Sequence, residues 1–333
     1  MTTSNRAVAV ALTVDVAIAF GKAVAALLTG SIAIFSEFVH SLADVINQLL
    51  LAVGIVRSER RPDRRFPYGF GRSRYVWALL SAAGVLFVGS GVTIIRGVQQ
   101  VWAPEPLEHL EWGFAILGLS LVAESVSLAV GITAVRRAAR RSAQSVWQYL
   151  KIGPDPMGVA VVLEDVSAVL GVTIALAGIG MTQLTGNPAW DGGASLLIGS
   201  LLAFTAVFLI DRNRRFLLGL APPRDAVARM VAVLEEDPDV ERIRDVKVSQ
   251  LGSKEVRFKA EIAFNGHELA RQLLATRDLD ATWSGLDSPQ ALERLLVEFG
   301  EELTEAIGDA VDRIEARLAE AVPEARHVDL EPD

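Results

Sequence analysis

Ile32-Ala-Ile-Phe-Ser-Glu-Phe-Val-His-Ser-Leu-Ala-Asp-Val-Ile-Asn-Gln-Leu-Leu-Leu-Ala-Val-Gly-Ile-Val56 is long and apolar enough to cross a bilayer, yet it carries Glu37, His40 and Asp44. An α-helix crosses a hydrocarbon core of about 30 Å in roughly 20 residues, so the stretch reads as a transmembrane helix. Ionisable groups inside such a helix are costly and mark function. His40 and Asp44 are spaced i, i+4 and project together, with Glu37 on the same stripe. Imidazole nitrogen beside carboxylate oxygen suits zinc, cobalt, iron or manganese, and a His/Asp pair serves equally as a proton relay.

Working outward, the chain is 51% hydrophobic and 22% charged, with a mean hydropathy of +0.35. Six spans are expected: Arg6 to Leu28, Ile32 to Val56, Tyr75 to Trp102, Leu110 to Val135, Met157 to Met181 and Gly193 to Ile210. The first has neither a charged leader nor a small-residue cleavage site, and reads as a retained helix. Arginines crowd the links after spans two (Arg57 to Arg74), four (Arg136 to Arg141) and six (Arg212 to Arg215), whereas the alternate links hold no Lys or Arg. By the positive-inside rule both termini are cytoplasmic. The bias fits a multi-pass protein of a bacterial plasma membrane, and an organelle remains an alternative.

After Pro222-Pro223 the composition becomes that of a soluble domain. A helix is expected at Asp225 to Glu236, paired strands at Ile243 to Leu251 and Val256 to Phe264 around Gly252-Ser253, a long helix at Pro289 to Val322, and a short strand at His327 to Leu330. The polar stretch Arg277 to Ser288 reads as an irregular insertion, near 275–288. The fold class is therefore an α-helical membrane protein of six spans, 1–216, followed by a cytoplasmic α+β domain, 217–333.

Ser36-Glu-Phe-Val-His-Ser-Leu-Ala-Asp44, Phe66-Pro-Tyr-Gly-Phe-Gly-Arg72 and Leu163-Glu-Asp165, with this topology, resemble the cation diffusion facilitator family over nearly the whole chain, most closely its zinc-transporter-nine-like branch. The resemblance implies export of divalent cations, mostly zinc, from the cytoplasm in exchange for protons. It also implies a homodimer joined partly through a metallochaperone-like cytoplasmic domain. Family members build the transport site from two i, i+4 pairs, in spans two and five. Here His40 and Asp44 supply the first and Asp165 the second acid, but the position four before Asp165 is Val161, which has no donor. Glu164 is the replacement, although neighbours on a helix point about 100° apart. A site of His40, Asp44, Asp165 and Glu164 favours zinc, with tolerance for manganese, iron or cobalt. No cofactor is required beyond the transported ion. With no cysteine in the chain, thiolate chemistry and disulfides are excluded.

Other charges need partners. Glu37 either hydrogen-bonds His40 and fixes its tautomer or accepts protons. Glu124 serves a proton path or gating, or else pairs within the bundle. Asp15 and Lys22 share a helix face at i, i+7 but are too far apart to pair with each other. Arg72 and Asp211 are expected to pair, within or across subunits. The Arg57 to Phe70 link has no histidine, so no metal is expected there. In the soluble domain His267, His327 and Asp329 are candidates for a regulatory metal. The net charge of −8 gives nucleic-acid binding no support. An intramembrane metallohydrolase would need a His-Glu-x-x-His or paired-aspartate motif, and neither occurs, so the chain is not read as an enzyme. A non-transporting scaffold or metal-sensing regulator, its site degenerate at Val161, is the alternative function.

Overall fold

The structure, a computed structural model, describes residues 3–142, 144–153, 156–252 and 255–333, without the side chains of 3–12, 14, 152, 156 and 157. The chain forms two compact units, Met1–Leu218 and Gly219–Asp333.

The first unit is all helical: α1 (Thr3–Thr29), α2 (Ile32–Ser58), α3 (Ser73–Gly84), α4 (Gly91–Trp102), α5 (Leu110–Arg141), α6 (Val146–Ile152), α7 (Pro156–Thr185) and α8 (Ala189–Leu217). A π-helical stretch, Val85–Ser90, joins α3 to α4 in one rod, Ser73–Trp102. Among the described residues five helices are long and apolar enough to cross a membrane. The sixth expected span falls on α1, a helix of 27 residues.

Two ends of the bundle differ in chemistry. One carries the short α1–α2, α4–α5 and α7–α8 links, and is called here the turn end; the other carries the arginine-rich links. Gly30 makes the α1–α2 turn with φ +68°, a left-handed conformation that favours glycine. Ser31 then caps α2, its hydroxyl accepting the Ile34 N–H at 3.1 Å. At the opposite end Arg212, buried in α8, donates to the carbonyls of Leu150 at 3.0 Å and Gly153 at 2.6 Å, closing the C-terminus of α6.

Alanines 25, 26 and 33 with Ile34, Leu117, Val172, Ile179 and Ile198 form the main core, which ties α1, α2, α5, α7 and α8 together. Phe20, Leu27, Phe87, Leu119 and Phe204 are exposed on the outside of this unit, as a lipid-facing surface requires.

The second unit contains α9 (Arg224–Glu235), β1 (Val240–Gly252), β2 (Glu255–Phe264), α10 (Gly266–Thr276), α11 (Leu279–Ser284), α12 (Pro289–Ala321) and β3 (Ala325–Pro332). The sheet order is β1-β2-β3, with β1 antiparallel and β3 parallel to β2. Phe258, Ala260 and Ile262 face Met230, Leu234, Ile314 and Leu318 of the helices. Of the expected β1–β2 turn, Ser253 lies outside the described residues. Within the stretch expected to be an irregular insertion, Arg277 to Ser288, α11 is helical and capped by Asp278, which accepts from Ala281 N; ahead of that stretch α10, which was not expected, is capped by Asn265, which accepts from Glu268 N. Asp278 is thus occupied as a cap.

Candidate metal site

His40 and Asp44 lie one turn apart on α2, with Nε2 and Oδ2 3.3 Å apart. His40 is buried, while the Asp44 side chain keeps 23% of its surface. Both line a small cavity completed by Glu164 and Ser167 of α7, Thr205, Leu202, Ala206 and Leu209 of α8, and Val85, where the π-helical stretch begins. Glu164 accepts a hydrogen bond from Asn47 of α2, and Ser167 and Thr205 are bonded at 2.6 Å. Polar groups of three helices thus meet in an otherwise apolar bundle.

Asp165 points elsewhere. Its Oδ2 accepts from Ser127 of α5 at 3.0 Å, as the 100° step between helical neighbours requires. Of the two α7 carboxylates, the cavity holds Glu164. Among the described residues no three His, Asp or Glu side chains stand close enough together to hold a metal ion. The donors therefore frame the cavity without closing on one point.

Glu37 does not bond His40, whose Nδ1 is buried with no hydrogen-bond partner among the described residues. Lys22 of α1 has claimed it instead. The ammonium donates to Glu37 Oε2 at 2.9 Å, Ser41 Oγ at 2.9 Å and Glu124 Oε1 at 2.7 Å. Lys22 and Glu37 are both 0% exposed. Asp15 accepts from Gln48 at 3.0 Å. Lys22, known from sequence only as a charge in need of a partner, is the residue that joins Glu37 to Glu124.

The expected Arg72–Asp211 pair does not form within the chain. Asp211 binds Arg214 at 3.0 Å and Arg215 at 2.6 Å, its neighbours at i+3 and i+4, which are closer along the same helix. In the link after α2, the Asp63 side chain accepts from Arg65 N and Phe66 N, both at 2.8 Å, and so shapes a turn. In the second unit His267 is exposed in the first turn of α10, while His327 sits on β3 opposite Arg257. Asp329 is 3.3 Å from the Arg257 guanidinium, a cation that opposes a metal there. Asp191 was missed by sequence reading. It is fully buried at the start of α8, accepting from Ser31 Oγ at 2.5 Å and Ile32 N at 2.7 Å across the turn end.

Residues 8–218, which include every helix around the cavity, match the family model described as the cation efflux transmembrane domain. The chain belongs to the cation efflux family. It is 40% identical over 330 residues to a Homo sapiens protein named a mitochondrial proton-coupled zinc antiporter, covering 98% of this chain and 58% of that one. Metal tolerance protein C4 of Arabidopsis thaliana is 38% identical over 306 residues, 90% of this chain and 66% of its own. The chain thus spans less than two thirds of these relatives. Membership of the cation efflux family agrees with the motifs at Ser36 to Asp44 and at Leu163 to Asp165, and places the chain among transporters rather than enzymes.

Proposed function

We propose that this protein moves divalent metal cations, zinc first, through its helical unit in exchange for protons, by alternating access to the cavity of His40, Asp44 and Glu164. The observation that carries this reading is that cavity: one imidazole and two carboxylates from α2 and α7 line it between apolar helices. Such donors suit zinc and tolerate manganese, iron and cobalt. Asp165 joins the set by turning from Ser127, one residue away from Glu164. Metal binds only to deprotonated ligands, so its arrival expels protons and its departure recruits them. Two access states convert that competition into antiport.

The name of the human relative, a proton-coupled zinc antiporter, supports the ion and the coupling. With α1 counted as the sixth span, both termini lie on the cytoplasmic side together with the arginines, and export runs toward the turn end. The second unit is proposed as a metallochaperone-like dimerisation domain that makes the protein a homodimer. Fractionation of the producing cells distinguishes a plasma membrane from the organelle membrane in the human relative's name.

The test is uptake of zinc, manganese, iron and cobalt into proteoliposomes under an imposed pH gradient. Gradient-driven zinc flux is expected in the parent and lost in Asp44→Ala, Glu164→Ala and Asp165→Ala. No flux of any ion in the parent would replace this reading with the non-transporting scaffold or metal-sensing regulator.

A further inference from the structure

The Lys22 bridge lies outside the cavity and is more than an anchor. It joins α1, α2 and α5 through one ammonium and two carboxylates, with Ser41 as a third acceptor. Glu37 is one turn before His40 on the turn-end side, and Ser41 follows His40 directly. Buried ion pairs are a costly way to hold helices together, and well-packed apolar residues of the same volume do it as well or better. This pair is also incompletely satisfied, since Glu37 Oε1 and Glu124 Oε2 are buried without a hydrogen-bond partner among the described residues. Two carboxylates to one ammonium leave room for a second positive charge.

Elsewhere in the turn-end half, α2 is bound to α8 by neutral or fully satisfied contacts. Asp191 caps α2, Ser36 and Ser195 are bonded at 2.7 Å, and Ser195 donates to Thr93 O at 3.0 Å. The α1 and α5 side meets α2 through apolar core residues, Ala25, Ala26, Ile34 and Leu117, and through the charged contacts of Lys22. Charge contacts can be exchanged for contacts to a passing cation, whereas packed apolar contacts cannot.

We propose that Lys22 is a positioning residue of the transport reaction: a tethered cation whose bonds to Glu37, Ser41 and Glu124 close the His40 site toward the turn end and break when that end opens. The inference rests on the transport reading, because it assigns Lys22 to one of the two access states. Breaking the bridge frees the carboxylates for the departing metal ion while the tethered ammonium prevents both from staying unpaired after it leaves.

The cysteine-free chain allows a direct test. Ser120, buried on α5 one turn before Glu124 on the turn-end side, is replaced by cysteine and labelled in lipid nanodiscs with a charged maleimide. Labelling is expected to be slow with Lys22 in place and with Lys22→Arg, and faster by about tenfold with Lys22→Met, as a shift between two conformations predicts. Should Lys22→Met fail to fold by gel filtration, Lys22→Met/Glu124→Gln removes the bridge with one fewer unpaired carboxylate and carries the same expectation. A folded bridge-less variant that labels as slowly as the parent overturns the proposal, as does fast labelling in Lys22→Arg. Zinc flux measured on the same preparations separates the two ideas: absent flux in the parent with faster labelling in Lys22→Met defeats the transport reading and leaves the closure standing.

Discussion

Glu37 reaches its place beside Lys22 because residue 171 of α7 is glycine. A Cβ there would land on Glu37 Oε1 and come within 3.8 Å of His40 Nδ1, and a helix backbone has little freedom to retreat. Gly171→Ala should therefore displace Glu37 from Lys22 and lower stability by about 1–3 kcal/mol, the usual range for overpacking. Thermal unfolding of the purified protein measures this, and an unchanged melting temperature would show that Glu37 moves freely. The pairing of His40 with Asp44 was legible in the sequence because i, i+4 spacing is a local property of a helix. The 100° step between Glu164 and Asp165 was equally local, but the sequence reading placed both in one site, and only helix packing sets Glu164 in the cavity and Asp165 against Ser127. Lys22 was not legible, because its partners lie 15 and 102 positions away and only helix packing selects them among the buried carboxylates.

The elements show the same division between local and distant causes. The long apolar helices announce themselves through length and hydropathy, whereas α10 and α11 are short and polar and begin at Asn265 and Asp278, residues as common in loops as in caps. The cap on α2 is both local and remote: Ser31 precedes the helix, but Asp191 arrives from the start of α8. Asp191→Ala leaves the Ser31 hydroxyl and the Ile32 amide without their acceptor in a buried place, at a cost of about 2 kcal/mol. Ser31→Ala removes the Ile34 cap yet spares Asp191 its bond to Ile32, at about 1 kcal/mol. Comparison of their melting temperatures checks the order, and equal values would mean that the α2–α8 tie contributes nothing beyond an ordinary cap.

On α12 the relevant element contact is electrostatic. Burial, then Asp312 and then Asp329, raise the pKa of Glu315 above its ordinary value. Because the folded value is the higher one, the folded unit binds the extra proton between the two values, and stability falls as pH rises through that window. Glu315→Gln removes the penalty. Its gain should be a few tenths of a kcal/mol at neutral pH, given the partial exposure of the site, and should vanish at a pH below the ordinary glutamate range. Urea unfolding at the two pH values tests the sign.

At the scale of the whole helical unit, polar groups form a layered column through an apolar bundle. Asp15 with Gln48 and Asn47 with Glu164 lie toward the arginine-rich end of α2, His40 and Asp44 stand in the middle, and the Lys22 bridge and the Asp191 cap follow toward the turn end. The Gln48–Asp15 pair and the Asp191 cap are bonded within the protein and the Lys22 bridge is satisfied in part, while His40, Asp44 and Glu164 surround a cavity and do not converge on one another. A metal ion that draws them together must first displace whatever protons they hold, because imidazole and carboxylate ligate only when deprotonated. Zinc affinity should accordingly rise with pH, by about tenfold per pH unit for each proton displaced. Calorimetric titration in buffers of different ionisation enthalpy counts those protons. Asp44→Asn, which keeps the shape of the side chain and removes its titration, should bind zinc more weakly and release fewer protons. Equal proton release from parent and variant would show that Asp44 does not carry the exchanged proton, and would assign it to His40 or Glu164 of the cavity or to Glu37 and Glu124 at the Lys22 bridge.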